Sequence, residues 1–322
     1  MAARKVVARL SQPHLLGIEP LTVEDIELVL STAQKYQTRP EAPGRGETRP
    51  VLRSDLLAGK SLVLAFFEPS TRTRISFEMA ADRLGMDVVN LALEASSVQK
   101  GESLLDTVKT LVAMRPDALV IRHQGSGVPH FLARHTEVPI LNAGDGLHEH
   151  PTQALLDALT IRDHKGRLNA LKVAILGDIL HSRVARSNIH LLSKFGARLF
   201  LGGPPPLVPK GLEKLAAGVR VCPALDEALA AADVVMMLRV QLERQREPLF
   251  ASPAEYARHY CLTAERLARA KPDAIVMHPG PFLRGIDIAG DVADSPRSVI
   301  PHQVENGVAV RMALLELLAG AQ

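Results

Sequence analysis

The chain is 322 residues long, with 47% apolar residues, 23% charged residues and a formal net charge of only +3. That length suits two α/β domains of roughly 150 residues each, and the composition is that of an ordinary globular protein. Aromatics at 3%, the absence of Trp and scattered Lys and Arg argue against a nucleic-acid partner, which needs stacking platforms or a basic stripe.

The first periodic helix opens after Pro20, with Thr22 as its N-cap, Asp25 at the third helical position and Ile26, Val29 and Leu30 on one face. Residues 38–50 are rich in Pro, Gly and charge and read as a loop. The apolar run 62–67, bounded by a turn, has the pattern of a buried parallel strand. A helix over 74–84 follows, stopped by Gly85. Then come a strand at 87–91, an amphipathic helix at 103–114, a strand at 118–121, a helix at 128–135 and a strand at 138–141. Pro151, at a first helical position, opens a longer helix. A second alternation has strands at 172–176, 198–201, 219–222, 234–238 and 274–277, with helices at 183–195 and 225–231. The Pro204, Pro205, Pro206 run reads as a rigid surface turn, and a last helix spans 304–318.

Two βαβ series joined by a helix predict an α/β fold of two doubly wound parallel-sheet domains, with the active site in the interdomain cleft. The expected domains are 1–150, completed by the C-terminal helix 303–322, and 151–302. Cys222 and Cys261 lack CxxC spacing and read as buried small hydrophobes in a reducing compartment. No run has signal-peptide character and none approaches about 18 uncharged apolar residues, so a cytoplasmic protein without a membrane partner is expected.

Polar residues collect where the predicted strands end, which is where open parallel sheets bind ligands. Ser70, Thr71, Arg72 and Thr73 lie between a strand and a helix start, so backbone N–H groups and the helix dipole make an anion cradle. Arg72 suits phosphate oxygens, although a helix-capping run with an exposed Arg is the alternative. There is no GxxxxGK[ST], and Gly177-Asp178 opens no GxGxxG. Arg122, Asn142, Asp178, Arg239 and His278 follow further strands. His148 and His150 form a His-x-His pair with no evident third ligand, so no metal is expected. His150 is placed as a donor to a carbonyl oxygen, with Gln153 one helical turn away; two solvated histidines are the alternative. Arg183 and Arg239, with Gln241 beside the latter, suit carboxylates.

Together these segments resemble the aspartate/ornithine carbamoyltransferase family. Residues 67–74, Phe-Glu-Pro-Ser-Thr-Arg-Thr-Arg, look like its carbamoyl-phosphate signature, and His150-Pro-Thr-Gln153 looks like its second motif. Residues 96–102, Arg122-His123, 142–146, Gly177-Asp178 with Arg183, Arg239-Val-Gln241 and the 278–281 segment His-Pro-Gly-Pro continue in family order. The aspartate-using branch fits better, because ornithine enzymes carry His-Cys-Leu-Pro at the last motif and a Ser-Met-Gly loop not found here. Two departures bear on loop closure. Leu283 precedes Arg284 where relatives often have Asn, and Gln99 precedes Lys100 where some have Gly.

The resemblance implies transfer of the carbamoyl group of carbamoyl phosphate to the α-amino group of L-aspartate, a step of pyrimidine biosynthesis, without cofactor or metal. It implies that Ser70, Thr71, Arg72 and Thr73 hold the phosphate, and that Thr73, Arg122 and His150 donate to the carbonyl oxygen. Gln153 and the carbonyls at Gly280 and Pro281 would hold the carbamoyl NH2, while Arg183, Arg239 and Gln241 would hold aspartate. Ser96 and Lys100 would reach into a neighbouring subunit of a homotrimer with shared active sites. A regulatory or dihydroorotase-type partner chain stays open, as do ornithine carbamoylation and a non-catalytic binding role.

Overall fold

A computed structural model describes residues 9–37, 52–91, 102–241 and 252–320. The chain divides into two compact units, Met1–Leu155 with Glu305–Gln322, and Leu156–Val304.

In the first unit, helix α1 (Val23–Lys35) is started by a reciprocal capping box between Thr22 and Asp25. Strands β1 (Ser61–Phe66), β2 (Asp87–Asn90), β3 (Ala118–His123) and β4 (Ile140–Asp145) form a parallel sheet in the order β2-β1-β3-β4. The inner strands are buried almost without interruption, as two-faced parallel strands must be, while the edge strand β2 is largely exposed. Helices α2 (Thr71–Arg83), α3 (Leu104–Ala113) and α4 (Val128–Ala133) connect them. On one face Val63, Ala65, Leu119 and Ile121 pack against Val108, Leu111 and Leu132.

Two expectations shift here. Helix α2 begins at Thr71, three residues before the predicted start, because Ser70 is extended and no Gly or Pro interrupts the run behind it. Strand β4 continues through Asn142, Ala143 and Gly144 to Asp145 rather than ending at 141. Pairing with the N-terminal segment carries it on, since Leu15 N–H donates to the Ile140 carbonyl and Asn142 N–H to the Leu15 carbonyl, both at 2.8 Å.

The second unit holds β5 (Lys172–Leu176), α6 (Arg183–Lys194), β6 (Arg198–Gly202), β7 (Val219–Val221), α7 (Leu225–Leu229), β8 (Val234–Met237) and β9 (Ile275–Met277). Its five parallel strands run β7-β6-β5-β8-β9. Short helices α8 (Pro253–Tyr260), α9 (Ala264–Leu267) and α10 (Gly290–Ala293) complete it. The long helices α5 (Pro151–Lys165) and α11 (Ile300–Ala319) are each shared between the two units' residues. Cys222 and Cys261 are free and buried. The proline turn is more than a surface feature, because Leu207 behind it is fully buried against Val240 and Tyr256. Among the described residues no helix is long and apolar enough to cross a membrane.

Each strand order contains one reversal. The chain leaves β1 for the edge strand β2 and returns to the other side of β1 at β3; it leaves β5 for β6 and β7 and returns to the other side of β5 at β8. Such switch points, at the carboxyl ends of the strands, open the crevices in which parallel sheets bind ligands.

Candidate active site

The first unit's switch point lies between β1 and β3. Behind β1, Phe67 N–H donates to the Arg122 carbonyl at 2.8 Å, which ties the loop before α2 to the end of β3. Ser70 occupies the N-cap position of α2, yet its hydroxyl makes no capping bond, so the capping alternative does not hold for it. Thr71 and Arg72 are exposed in the first turn and Thr73 is buried. No acidic residue occupies that turn, and the helix N-terminus with its outward amides favours an anion. Arg74 reaches forward along the helix to Glu78 at 3.5 Å.

Arg122 is almost fully buried at the end of β3. Its Nη1 donates to the Ala143 carbonyl and its Nη2 to Glu68 Oε1, each at 3.0 Å. A buried guanidinium demands such partners. They come from the loop after β1 and from β4, so three strand ends converge on one cation.

The His-x-His pair separates. His148 turns to Asp145, with Nδ1 3.0 Å from Oδ2. His150 is 5% exposed, which removes the solvated-histidine alternative for it, and its Nδ1 lies 3.4 Å from Thr152 Oγ1. Gln153, also buried, stands one turn into α5, its N–H donating to the His150 carbonyl at 3.0 Å. Arg311 of α11 braces this helix start against α2. Its Nη2 donates to Thr152 Oγ1 at 3.3 Å and its Nη1 to Ser76 Oγ at 3.0 Å, while its guanidinium lies 5.0 Å from the Phe77 ring centroid.

In the second unit the switch point lies between β5 and β8. Gly177 has φ +116° and follows β5 so closely to β8 that a Cβ would stand 2.6 Å from the Leu238 carbonyl oxygen. Only glycine fits there. Asp178, fully buried, accepts from the His181 N–H at 3.2 Å and the Gln241 N–H at 3.1 Å, and lies 2.9 Å from His181 Nδ1. Gln241 Nε2 also donates to the His181 carbonyl at 3.0 Å. The loop after β5, which leads to the buried Arg183 at the start of α6, is thereby fastened to the Arg239–Gln241 segment after β8.

A second buried carboxylate, Asp287, fastens that segment to the loop after β9. It accepts from the Val240 N–H at 3.3 Å and the Leu283 N–H at 2.8 Å, with His278 Nε2 3.7 Å away. Burial pushes its carboxyl up to about 6, against the pull of those two amides and of Arg239. Between them, Gly280 N–H donates to His278 Nδ1 at 2.8 Å, and the Gly280–Pro281 peptide is cis.

The sequence-derived candidates therefore gather as two groups, one per unit. Ser70, Thr71, Arg72, Thr73, Arg122, His150 and Gln153 belong to the first; Arg183, Arg239, Gln241, Gly280 and Pro281 belong to the second. Ser96 and Lys100 lie outside the described residues. Sequence reading passed over Glu68, Asp287 and Arg311, which hold the candidates in position. Glu68 was visible only as a letter inside the 67–74 motif, and Asp287 and Arg311 reach their partners from far along the chain.

The family model described as aspartate/ornithine carbamoyltransferase, carbamoyl-P binding domain, matches residues 13–163. The one described as aspartate/ornithine carbamoyltransferase, Asp/Orn binding domain, matches residues 169–318. The chain is 57% identical over 306 residues to an aspartate carbamoyltransferase catalytic subunit of Solibacter usitatus, covering 95% of this chain and 99% of that one. It is 55% identical over 309 residues to the subunit of the same name from Granulibacter bethesdensis, covering 96% and 95%. Among solved structures, aspartate transcarbamoylase from Trypanosoma cruzi in complex with N-(phosphonacetyl)-L-aspartic acid superposes with a TM-score of 0.83 at 35% identity, covering 94% of each chain. Ornithine carbamoyltransferase from Pyrococcus furiosus superposes with a TM-score of 0.82 at 30% identity, covering 96% of this chain and 97% of that one. Architecture alone does not separate the two branches, whereas both family models run the length of the described fold. The chain belongs to the aspartate/ornithine carbamoyltransferase family.

Proposed function

We infer that this chain is an enzyme that transfers the carbamoyl group of carbamoyl phosphate to the α-amino group of L-aspartate, releasing phosphate. The observation that carries the reading is the placement of two guanidinium groups: Arg183 at the start of α6 and Arg239 behind β8 flank the switch point of the second unit. An amino acid with two carboxylates calls for such guanidinium groups, and ornithine's cationic side chain does not. The relatives at 55–57% identity bear the corresponding name.

In this reading Ser70, Thr71, Arg72 and Thr73 hold the phosphate at the start of α2. Thr73, Arg122 and His150 donate to the carbamoyl oxygen, which gains charge as the amine attacks. Loss of one such donor typically weakens transition-state binding by about 3–4 kcal/mol. Gln153 and the carbonyls at Gly280 and Pro281 accept and orient the carbamoyl NH2, and Arg183, Arg239 and Gln241 hold aspartate. The nitrogen lone pair forms the new N–C bond, the C–O bond to phosphate breaks, and the departing phosphate takes the proton from the amine. Catalysis is then orientation and electrostatics, with no protein nucleophile.

A homotrimer whose active sites are completed by Ser96 and Lys100 of a neighbouring chain belongs to the same reading, as does a cytoplasmic location. Supplying the purified protein with carbamoyl phosphate and L-aspartate, and resolving the products by mass spectrometry, tests the reaction. N-carbamoyl-L-aspartate and phosphate should appear together in equal amounts. Phosphate release at an aspartate-independent rate would refute the transfer.

A further inference from the structure

Three side chains near the first unit's β4 take no part in the reaction proposed above. His130 lies on α4, Asp145 ends β4, and His148 follows in the next turn. One potential ligand atom from each lies within 4.8 Å of the other two. The rings of His130 and His148 meet edge to face with centroids 5.2 Å apart. The Nδ1 of His130 is buried and makes no hydrogen bond, which is rare enough in a folded protein to call for an explanation.

Asp145 is held as a metal-binding carboxylate needs to be held. Its Oδ1 accepts from Asn142 Nδ2 at 2.8 Å and the Glu149 N–H at 3.1 Å, and its Oδ2 accepts the Gly127 N–H at 2.7 Å. The remaining Oδ2 lone pair faces His148 Nδ1 at 3.0 Å. Two ligands on a tetrahedral ion, each about 2.1 Å from it, stand about 3.4 Å apart, so the His148–Asp145 contact needs only a small opening.

We propose that His130, Asp145 and His148 form a binding site for a zinc-like divalent cation. Two imidazoles and one carboxylate suit Zn2+, Co2+ or Ni2+ rather than the oxygen-seeking Mg2+ or Ca2+. The partly exposed His148 leaves water access to the fourth position. The ion takes the place of the proton between His148 and Asp145 and gives His130 a partner. The Glu149 N–H bond to Asp145 couples the site to the turn that leads into His150. This inference does not depend on which amino acid accepts the carbamoyl group.

Titration of the metal-free, full-length protein with Co2+ alone, followed by calorimetry and visible absorption, tests it. One Co2+ per chain should bind, with the intense absorption of a low-coordinate nitrogen–oxygen site. His130→Gln and His148→Gln should each weaken binding by roughly tenfold or more while leaving carbamoyl transfer in the metal-free protein unchanged. His164→Gln serves as a control, because His164 Nε2 and His302 Nδ1 form a separate pair at 2.9 Å. Absence of Co2+ binding, binding untouched by both His130→Gln and His148→Gln, or binding lost only in His164→Gln overturns the proposal.

Discussion

Arg122 and the half-buried Glu68 form an ion pair at 3.0 Å, so the guanidinium assigned to the carbamoyl group is already oriented before any substrate arrives. The pairing is parallel to the sheet register, in which Phe66 and Arg122 are partners in β1 and β3. Charge-assisted bonds of this kind contribute about 1.5–3 kcal/mol. Glu68→Gln keeps the shape and removes the charge. It should lower kcat/KM for carbamoyl phosphate by roughly 10- to 100-fold, with little change in Tm. Steady-state kinetics unchanged from the parent protein would show that Glu68 does not position Arg122.

Arg311 links the start of α5 to α2 through Thr152 and Ser76. Arg311→Met fills similar volume but leaves both hydroxyls without their donor. A loss of about 2–4 kcal/mol in urea unfolding is predicted, together with a lower kcat. Arg311→Lys should not restore either, since one ammonium cannot reproduce the fork. Full rescue by Lys would mean that charge alone, not bracing geometry, is what the site needs.

Asp287 supplies a pH signature. Its carboxyl is raised from 3.8 to about 6, so between those values the folded state binds more protons than the unfolded state. Stability must therefore fall as pH rises through that window, with the full penalty, on the order of 3 kcal/mol, present above it. Asp287→Asn keeps an acceptor for the Leu283 N–H and should flatten this part of the stability profile. Parallel pH profiles for the two proteins, measured by urea unfolding from pH 4 to 7, would exclude the assignment.

The proposed sharing of active sites between neighbouring chains makes a separate prediction. Arg72→Ala and Lys100→Ala proteins should each be nearly inactive. Mixed after dissociation, they should regain up to about one site in four, because each hybrid trimer contains one site with both side chains intact. Hybrids that form but stay inactive would restrict each site to one chain.

Much of the fold was legible. The Thr22–Asp25 capping box, the apolar runs of β1, β3, β5 and β8 and the polar residues behind them all follow local rules of period and capping. What escaped was carried by distant partners. Strand β4 runs into Gly144 and Asp145, poor strand formers, because Leu15 pairs with it from more than a hundred residues away. Helix α8 carried its signals, Ser252 accepting from the Glu255 N–H with Pro253 in the first turn, but it is too short for periodicity to reveal. The approach of His130 to His148 was unreadable, since the two meet only once α4 packs on β4.

Within the site, the anion cradle and the arginines could be read from residue type at strand ends. Their supports could not. Glu68 and Asp287 are acidic residues beside candidate anion-binding groups, which local chemistry alone would disfavour. Each accepts from the backbone or from a cation, and so fixes a loop that carries candidate site residues.

In the proposed reaction Arg183 and Arg239 select aspartate over ornithine. The most direct test is kcat/KM for L-aspartate and L-ornithine with saturating carbamoyl phosphate, in the parent protein and in Arg239→Leu. A preference for aspartate of at least about a thousandfold is expected, collapsing in the variant through the loss of aspartate turnover. Equal use of both amines by the parent protein, or an aspartate preference that survives Arg239→Leu intact, would contradict it.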